Sequence, residues 1–171
     1  AAGNPEIERK KNTGYTMIKV AICDDDIQFI YKLEQSIFRF AEMKRIKVDV
    51  DGYTSGAEFI QKLQQSERYD LLFLDIELGD SSGIIVGNWI RSQIQYESMQ
   101  IVFVSAKEMY AMQLFDLRPM NFLVKPIQQE RVDYILDEYE RLYQFQPHII
   151  EIGKGRNSIR IEEHSVFYLQ S

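Results

Sequence analysis

The sequence predicts an α/β fold, a doubly wound five-stranded parallel sheet that is followed by a short C-terminal β segment. Two observations lead to this prediction. Short apolar runs alternate five times with longer stretches in which apolar residues recur every three or four positions, as on the buried side of a helix. The connections between runs are too short for anything but crossover helices, which places helices on both faces of a parallel sheet.

The 171 residues divide into three segments. Residues 1–16 are polar and unpatterned and precede Met17, so we interpret them as a tag or a disordered arm. Residues 17–146 contain the five β-α units and form the main domain. Pro147 ends the last helix, and residues 147–171 are predicted to form a truncated β segment. Its strand-like runs are residues 149–152, 158–161 and 166–169.

The first half of the main domain contains three predicted strands. Residues 18–23 form an apolar run, and residues 47–53 alternate less cleanly between apolar and polar. Residues 71–74 are apolar throughout, as a strand covered on both faces must be. Ser55 and Glu58 have the spacing of a capping box at the start of the second helix. The buried stripes of the first two helices are predicted at Ile30, Leu33, Ile37 and Ala41, and at Phe59, Ile60 and Leu63.

The second half adds two strands and three helices. Residues 101–104 are an apolar run, and residues 121–124, which are apolar after Asn121, are predicted to form the fifth strand. A glycine-bounded loop at 79–83 precedes the third helix, and the fourth helix is predicted to be short. The apolar stripes of these helices are Val86, Ile90 and Ile94; Ala111, Leu114 and Phe115; and Val132, Ile135, Leu136, Tyr139 and Tyr143.

Composition and charge exclude several classes of protein. No apolar run approaches the roughly 18 residues that span a bilayer, so we expect no membrane partner and a cytoplasmic location. The single cysteine, Cys23, is interpreted as a small buried hydrophobe, which fits a reducing compartment. The net charge of −6 disfavours a nucleic-acid-binding face over the bulk of the molecule.

Chemically distinctive residues follow four of the five predicted strands. Asp24 and Asp25 follow the first strand, Asp75 the third, Ser105 the fourth and Lys125 the fifth. Ligands of such sheets bind beyond the carboxyl ends of the strands, so these side chains are expected to converge. Three converging carboxylates repel one another and favour a hard divalent cation such as Mg²⁺. With a hydroxyl and a lysine beside it, Asp75 is predicted to accept a phosphoryl group as a nucleophile.

Four motifs in this order resemble the receiver domain of two-component response regulators. They are ICDDD at 22–26, LFLD at 72–75, VFVSA at 102–106 and FLVKP at 122–126. The resemblance covers residues 17–146 and implies a flavodoxin-like fold of the receiver type. It also implies a signalling domain instead of an enzyme, with self-phosphorylation and self-dephosphorylation only. A sensor histidine kinase would be the partner that phosphorylates Asp75.

The same resemblance implies the ligands of a Mg²⁺ ion. Asp25 and Asp75 would bind the ion directly, and Asp24 would contribute through water. The backbone carbonyl of Glu77 would complete the set of protein ligands. No other cofactor is implied.

The resemblance further implies how phosphorylation is sensed. Ser105 and Lys125 would contact the phosphoryl oxygens. Phe122 would be the switch aromatic, filling the space that the Ser105 hydroxyl leaves when it engages the phosphoryl group. The phosphorylated chain would then form a homodimer. The Lys125-Pro126 peptide bond is expected to be cis.

The last 25 residues loosely resemble the opening strands of a LytTR-type DNA-binding domain. The resemblance rests mainly on VFYLQS at 166–171, which is similar to a strand of Ile/Val-x-Tyr-x-x-Ser form. It implies that the parent protein controls transcription by binding DNA. This chain has too small a part of that module to bind DNA specifically. A hairpin that packs on the main domain or on a neighbouring chain is the alternative.

Three other functions compete with the receiver interpretation. A flavodoxin-type nucleotide binder would need a Gly- or hydroxyl-rich loop where residues 24–26 are acidic. A Mg²⁺-dependent phosphatase of the haloacid-dehalogenase type also uses a strand-end aspartate and is the main alternative, although its nucleophile lies on the opening strand. A topoisomerase-primase-type metal fold could use the same acidic pair, but the negative charge speaks against it. Taken singly, residues 24–26 could also be acids that stabilise the first turn of a helix.

Overall fold

The computed structural model describes residues 17–143, 149–152 and 159–162. The chain forms two compact units, Tyr15–Glu138 and a second one that contains the C-terminal strands. The tag or disordered arm predicted at 1–16 and the strand predicted at 166–169 lie outside the described residues.

The first unit contains a five-stranded sheet in which every neighbouring pair is parallel. The strand order is β2-β1-β3-β4-β5, so the direction of winding reverses beside β1, where β1 and β3 are neighbours. Such a reversal opens a crevice at the carboxyl ends of the strands. The predicted doubly wound fold is therefore confirmed. The strands are β1 (Ile18–Cys23), β2 (Val48–Tyr53), β3 (Leu71–Asp75), β4 (Gln100–Ser105) and β5 (Asn121–Val124).

Four α-helices accompany these strands, and three begin at a polar residue that caps them. The Asp26 side chain accepts hydrogen bonds from the first turn of α1, and Ser82 does the same for α3. Ser55 accepts one from the backbone N–H of Glu58, which is the first half of the predicted capping box. The helices are α1 (Ile27–Lys44), α2 (Gly56–Gln64), α3 (Gly83–Ser92) and α4 (Gln129–Tyr143).

The segment between β4 and β5 differs from the short α-helix predicted there. Glu108–Leu117 is a 3₁₀ helix, in which residues three apart share one side. Leu114 and Leu117 are accordingly buried, whereas Phe115, which was predicted to lie on the apolar stripe, is 86% exposed. Ile94 was likewise placed on the stripe of α3, but that helix ends at Ser92 and Ile94 is 85% exposed.

Arg91 fastens the end of this 3₁₀ helix to the rest of the unit. Its Nε donates a hydrogen bond of 2.8 Å to the carbonyl of Leu117, and its Nη1 donates one of 2.9 Å to the carbonyl of Met99. One guanidinium group on α3 thus joins the carboxyl end of the 3₁₀ helix to the chain that enters β4.

The second unit contains an antiparallel pair of strands, β6 (Ile149–Ile152) and β7 (Ile159–Glu162). In the register of this pair Ile150 lies opposite Ile161, and Glu151 lies opposite Arg160. Two of the three predicted C-terminal strands therefore form, and the second of them starts one residue later than predicted.

The start of α3 lies so close to the end of β3 that residue 83 must lack a side chain. A Cβ atom added to Gly83 would lie 2.0 Å from the carbonyl oxygen of Asp75 and 3.0 Å from the Cα of Ile76. Backbone atoms cannot yield as a flexible side chain can, so we expect Gly83→Ala to lower the free energy of unfolding by about 3 kcal/mol. Urea denaturation followed by circular dichroism measures this change.

Gly87→Ala on the same helix is the matched control. Its Cβ would meet the ring of the buried Phe103 at 2.8 Å, a contact with a side chain instead of the backbone. Alanine also favours the helix more than glycine does. We expect this control to lower the free energy of unfolding by about 1–2 kcal/mol, which is less than the loss in Gly83→Ala. Equal losses in the two variants would contradict the explanation based on backbone contact.

Candidate functional site

The acidic side chains predicted at the strand ends meet at one edge of the sheet. Asp24 follows β1, and Asp75 is the last residue of β3. Both are buried, whereas Asp25 is exposed. One carboxylate oxygen from each of the three lies within 4.8 Å of the other two. All three ligand atoms are oxygens, which is the donor set preferred by Mg²⁺ and other hard divalent cations.

Lys125 extends from the end of β5 into this acidic group. Its Nζ donates hydrogen bonds to Oδ2 of Asp24 at 2.6 Å and to Oδ2 of Asp75 at 2.9 Å. Burial by itself lowers the pKa of Lys125, but the hydrogen bonds and charges of the two carboxylates outweigh it and raise that pKa. Burial also raises the pKa of Asp24, because its charged form loses hydration. The lysine therefore partly balances the carboxylates in the absence of a cation.

The run of three aspartates divides into two roles. Asp24 accepts a hydrogen bond of 2.8 Å from the backbone N–H of Asp26, which fixes its carboxylate at the site. The Asp26 side chain turns to the helix instead and accepts from the N–H groups of Gln28 and Phe29. The interpretation of these acids as helix-stabilising residues thus holds for Asp26, while Asp24 and Asp25 lie at the site.

Ser105, the last residue of β4, and Glu77, in the loop after β3, flank Asp75. Ser105 is fully buried and follows Val104, the register partner of Asp75. The backbone N–H of Glu77 donates to Oδ1 of Asp75 at 3.1 Å. The Glu77 side chain instead forms an ion pair of 2.5 Å with Lys107. The backbone N–H of Glu77 therefore contacts the site, and the role of its carbonyl as a cation ligand stays a prediction.

Phe122, the predicted switch residue, lies on β5 beside the strand that ends in Ser105. Phe122 lies opposite Phe103 on β4, two residues before the pair formed by Ser105 and Val124. It is half-buried and packs against the hydrophobic core. The Lys125-Pro126 peptide bond is cis, which confirms that prediction. The functional roles of these residues remain predictions.

Two contacts at the site were not anticipated from the sequence. The ammonium group of Lys125 lies over the ring of Phe29, 4.2 Å from its centroid. Asp80, in the loop after β3, accepts hydrogen bonds from the Ser55 hydroxyl and from the N–H groups of Gly56 and Ala57. These bonds lower the pKa of Asp80, chiefly through Ala57. They tie the loop beside the acidic group to the start of α2.

Comparison with known proteins identifies the family. Residues 20–137 match the family model described as the response regulator receiver domain. The chain belongs to this family. None of the comparisons supports the alternative of a Mg²⁺-dependent phosphatase. No helix in the described part of the receiver chain is long and apolar enough to cross a membrane.

The receiver domain resembles several named regulators. Sensory transduction protein LytT of Bacillus cereus is 29% identical over 151 residues, which are 88% of this chain and 58% of LytT. Sensory transduction protein LytR of Streptococcus agalactiae is 30% identical over 127 residues, 74% of this chain and 50% of LytR. The chain thus spans about half the length of these relatives.

A solved structure supports the fold. The response regulatory domain of protein mrkE from Klebsiella pneumoniae superposes with a TM-score of 0.65 at 23% identity, over 75% of this chain and all of that one. At this identity the similarity establishes the architecture of the receiver domain and nothing about its partners.

Proposed function

We propose that this receiver domain accepts a phosphoryl group from a sensor histidine kinase on Asp75, and that Mg²⁺ is the cofactor. The observation that carries the proposal is the shared contact of Lys125 with Asp24 and Asp75, inside a group of three carboxylates. A buried carboxylate with a cation site and a lysine beside it suits the transfer of a phosphoryl group, which depends on positioning and charge neutralisation.

Asp75 supplies the attacking oxygen in the proposed reaction. A bond forms between that oxygen and phosphorus while the phosphorus–nitrogen bond of the donor breaks, and the nitrogen departs with the electron pair and gains a proton. Lys125 then pairs with a phosphoryl oxygen, and the hydroxyl of Ser105 donates to another.

The cation would be held by the carboxylates of Asp25 and Asp75 and by the backbone carbonyl of Glu77, with Asp24 acting through water. When bound, Mg²⁺ would neutralise negative charge on the transferred group. The site's oxygen-only donor set fits this ion.

Incubation with a phosphoramidate donor tests the proposal. We expect one added phosphoryl group per chain in the presence of Mg²⁺, mapped to the peptide that contains Asp75, and none after chelation. Intact-protein mass spectrometry measures the gain. Labelling that is equally strong in the presence of chelator would contradict the proposed role of the cation. Continuous release of phosphate without a labelled intermediate would contradict the receiver function and favour a phosphatase.

The second part of the proposal concerns the switch. Ser105 is fully buried, and Phe122 lies half-buried on the adjacent strand. Between their strands the 3₁₀ helix exposes Met109, Met112 and Phe115, an apolar surface suited to contact with a second copy. Engagement of the Ser105 hydroxyl by a phosphoryl oxygen would let Phe122 move inward and favour a homodimer.

We expect a beryllofluoride phosphate mimic with Mg²⁺ to shift the protein from monomer towards dimer in analytical ultracentrifugation. Ser105→Ala removes the hydroxyl that would couple the phosphate mimic to Phe122, so this variant should bind the mimic and yet shift less. Identical mass distributions with and without the mimic, or a full shift in Ser105→Ala, would count against the switch.

The output proposed for the full-length regulator is control of transcription. LytT and LytR are longer than this chain, and the β6-β7 hairpin would begin a LytTR-type DNA-binding domain. We do not expect this chain to bind DNA specifically by itself. The alternative, a hairpin that packs on the receiver domain or on a neighbouring chain, stays a prediction, as does the cytoplasmic location.

A further inference from the structure

Phe29 contacts the site, although it does not belong to the buried side of its helix. The buried residues of α1 are Ile30, Leu33, Ile37, Phe40 and Ala41. Phe29 is only half-buried, and its ring lies beneath the ammonium group of Lys125. Packing of α1 on the sheet therefore does not explain an aromatic residue at this position.

The start of α1 fixes the position of this ring relative to the acidic group. The backbone N–H of Phe29 donates to Oδ1 of Asp26 at 3.3 Å. The backbone N–H of Asp26 in turn donates to Asp24. A short chain of hydrogen bonds thus joins the backbone beneath the ring to the carboxylate that binds Lys125.

Lys125 is held by two kinds of contact. Two of its three ammonium protons can serve the carboxylates of Asp24 and Asp75. The face of the Phe29 ring carries partial negative charge and also attracts the ammonium group. The lysine stem has several rotatable bonds, so each contact reduces the number of positions that its end can adopt.

The ring contact differs from the carboxylate contacts in one respect that matters for the reaction. A divalent cation held by Asp25 and Asp75, with Asp24 acting through water, would draw on the same negative charge that holds Lys125. It would therefore weaken the lysine's two ion pairs. The attraction to Phe29 involves no carboxylate, so a cation on the carboxylates would not compete for it.

We propose that Phe29 is a positioning residue that keeps the Lys125 ammonium beside Asp75 when a divalent cation occupies the carboxylates. This inference rests on the proposed function. Phe29 does not touch the reacting atoms, and it acts by limiting where Lys125 can reach. A correctly placed positive charge favours the phosphoryl transfer step, so loss of the ring slows the step without blocking it.

The test compares three variants on one helix. At saturating Mg²⁺, Phe29→Leu is expected to slow labelling by a small phosphoramidate donor roughly three- to tenfold. Phe29→Tyr keeps the ring face and should label within about twofold of the unsubstituted protein. Phe38→Leu removes a different, partly exposed aromatic from α1 and should leave the rate unchanged.

Two further measurements separate positioning from a structural role. Phe29 binds no carboxylate, so the Mg²⁺ affinity of Phe29→Leu should match that of the unsubstituted protein. In carbon-13-labelled lysine spectra, the protons next to Nζ of Lys125 should be shifted upfield by the ring, with the shift lost in Phe29→Leu and retained in Phe29→Tyr. Lys125→Arg assigns the signal.

The outcomes distinguish this inference from the proposed function. If the unsubstituted protein takes up no phosphoryl group, the proposed function fails and the role of Phe29 fails with it. If Phe29→Leu labels as fast as the unsubstituted protein, only the role of Phe29 is overturned. A parallel loss of rate and Mg²⁺ affinity, or a slow Phe29→Tyr variant, would show general damage to the site and would also overturn it.

Discussion

Asp75→Asn is expected to abolish the uptake of a phosphoryl group from a small phosphodonor while leaving the sheet intact. The amide has nearly the same shape as the carboxylate, and its oxygen can still accept the hydrogen bond from the N–H of Glu77. It carries no negative charge and is a poor nucleophile, so no oxygen–phosphorus bond forms. Lys125 keeps its other partner, Asp24, at 2.6 Å.

Intact-protein mass spectrometry with donor and Mg²⁺ measures this effect. Asp116→Asn is the matched control, because Asp116 is an exposed acid on the 3₁₀ helix. The control should gain one phosphoryl group, as the unsubstituted protein does. A persistent mass gain in Asp75→Asn would mean that another residue is the acceptor.

Lys125→Met is expected to lower the free energy of unfolding by about 3 kcal/mol when no divalent cation is present. Methionine keeps much of the volume of the side chain but leaves Asp24 and Asp75 buried without their shared positive partner. The loss should shrink at saturating Mg²⁺, because the cation then compensates the same carboxylates. For that reason Lys125→Met should also bind Mg²⁺ more tightly than the unsubstituted protein.

Urea denaturation in chelator and in excess Mg²⁺ measures the two values. Lys107→Met is the control, since Lys107 also forms an ion pair, but with both partners about half exposed. An exposed pair contributes little, so this control should lose no more than about 1 kcal/mol in either solution. A deficit in Lys125→Met that does not depend on Mg²⁺ would contradict competition between lysine and cation.

The sheet and the acidic group could be predicted because both depend on patterns within short stretches. β1 and β5 have the limits that their apolar runs suggest, since each run is ended abruptly by a polar residue. Residues at the carboxyl ends of parallel strands must share an edge, so Asp24, Asp75 and Lys125 could be placed together without knowledge of any contact.

The remaining features depend on contacts that leave no local pattern. Phe29 and Lys125 are far apart in the chain, and an aromatic in the first turn of a helix gives no sign of a lysine above it. Asp80 likewise reaches the start of α2 from a later loop. The spacing of Ala111, Leu114 and Phe115 is compatible with an α-helix, and only packing against α3 and the core decides that Glu108–Leu117 is wound more tightly.

The 3₁₀ winding of Glu108–Leu117 also determines how long this segment is from end to end. Its 10 residues extend about 20 Å as a 3₁₀ helix, but would extend about 15 Å as an α-helix. Rewinding the segment into an α-helix would therefore shorten it by about 5 Å, and one of its ends would move by that distance. Arg91 holds the Leu117 end through a hydrogen bond, so the Lys107 end would be the one that moves. The backbone N–H of Lys107 donates a hydrogen bond to the Ser105 hydroxyl. A change in the length of this segment would therefore act on the hydroxyl group that lies beside Asp75.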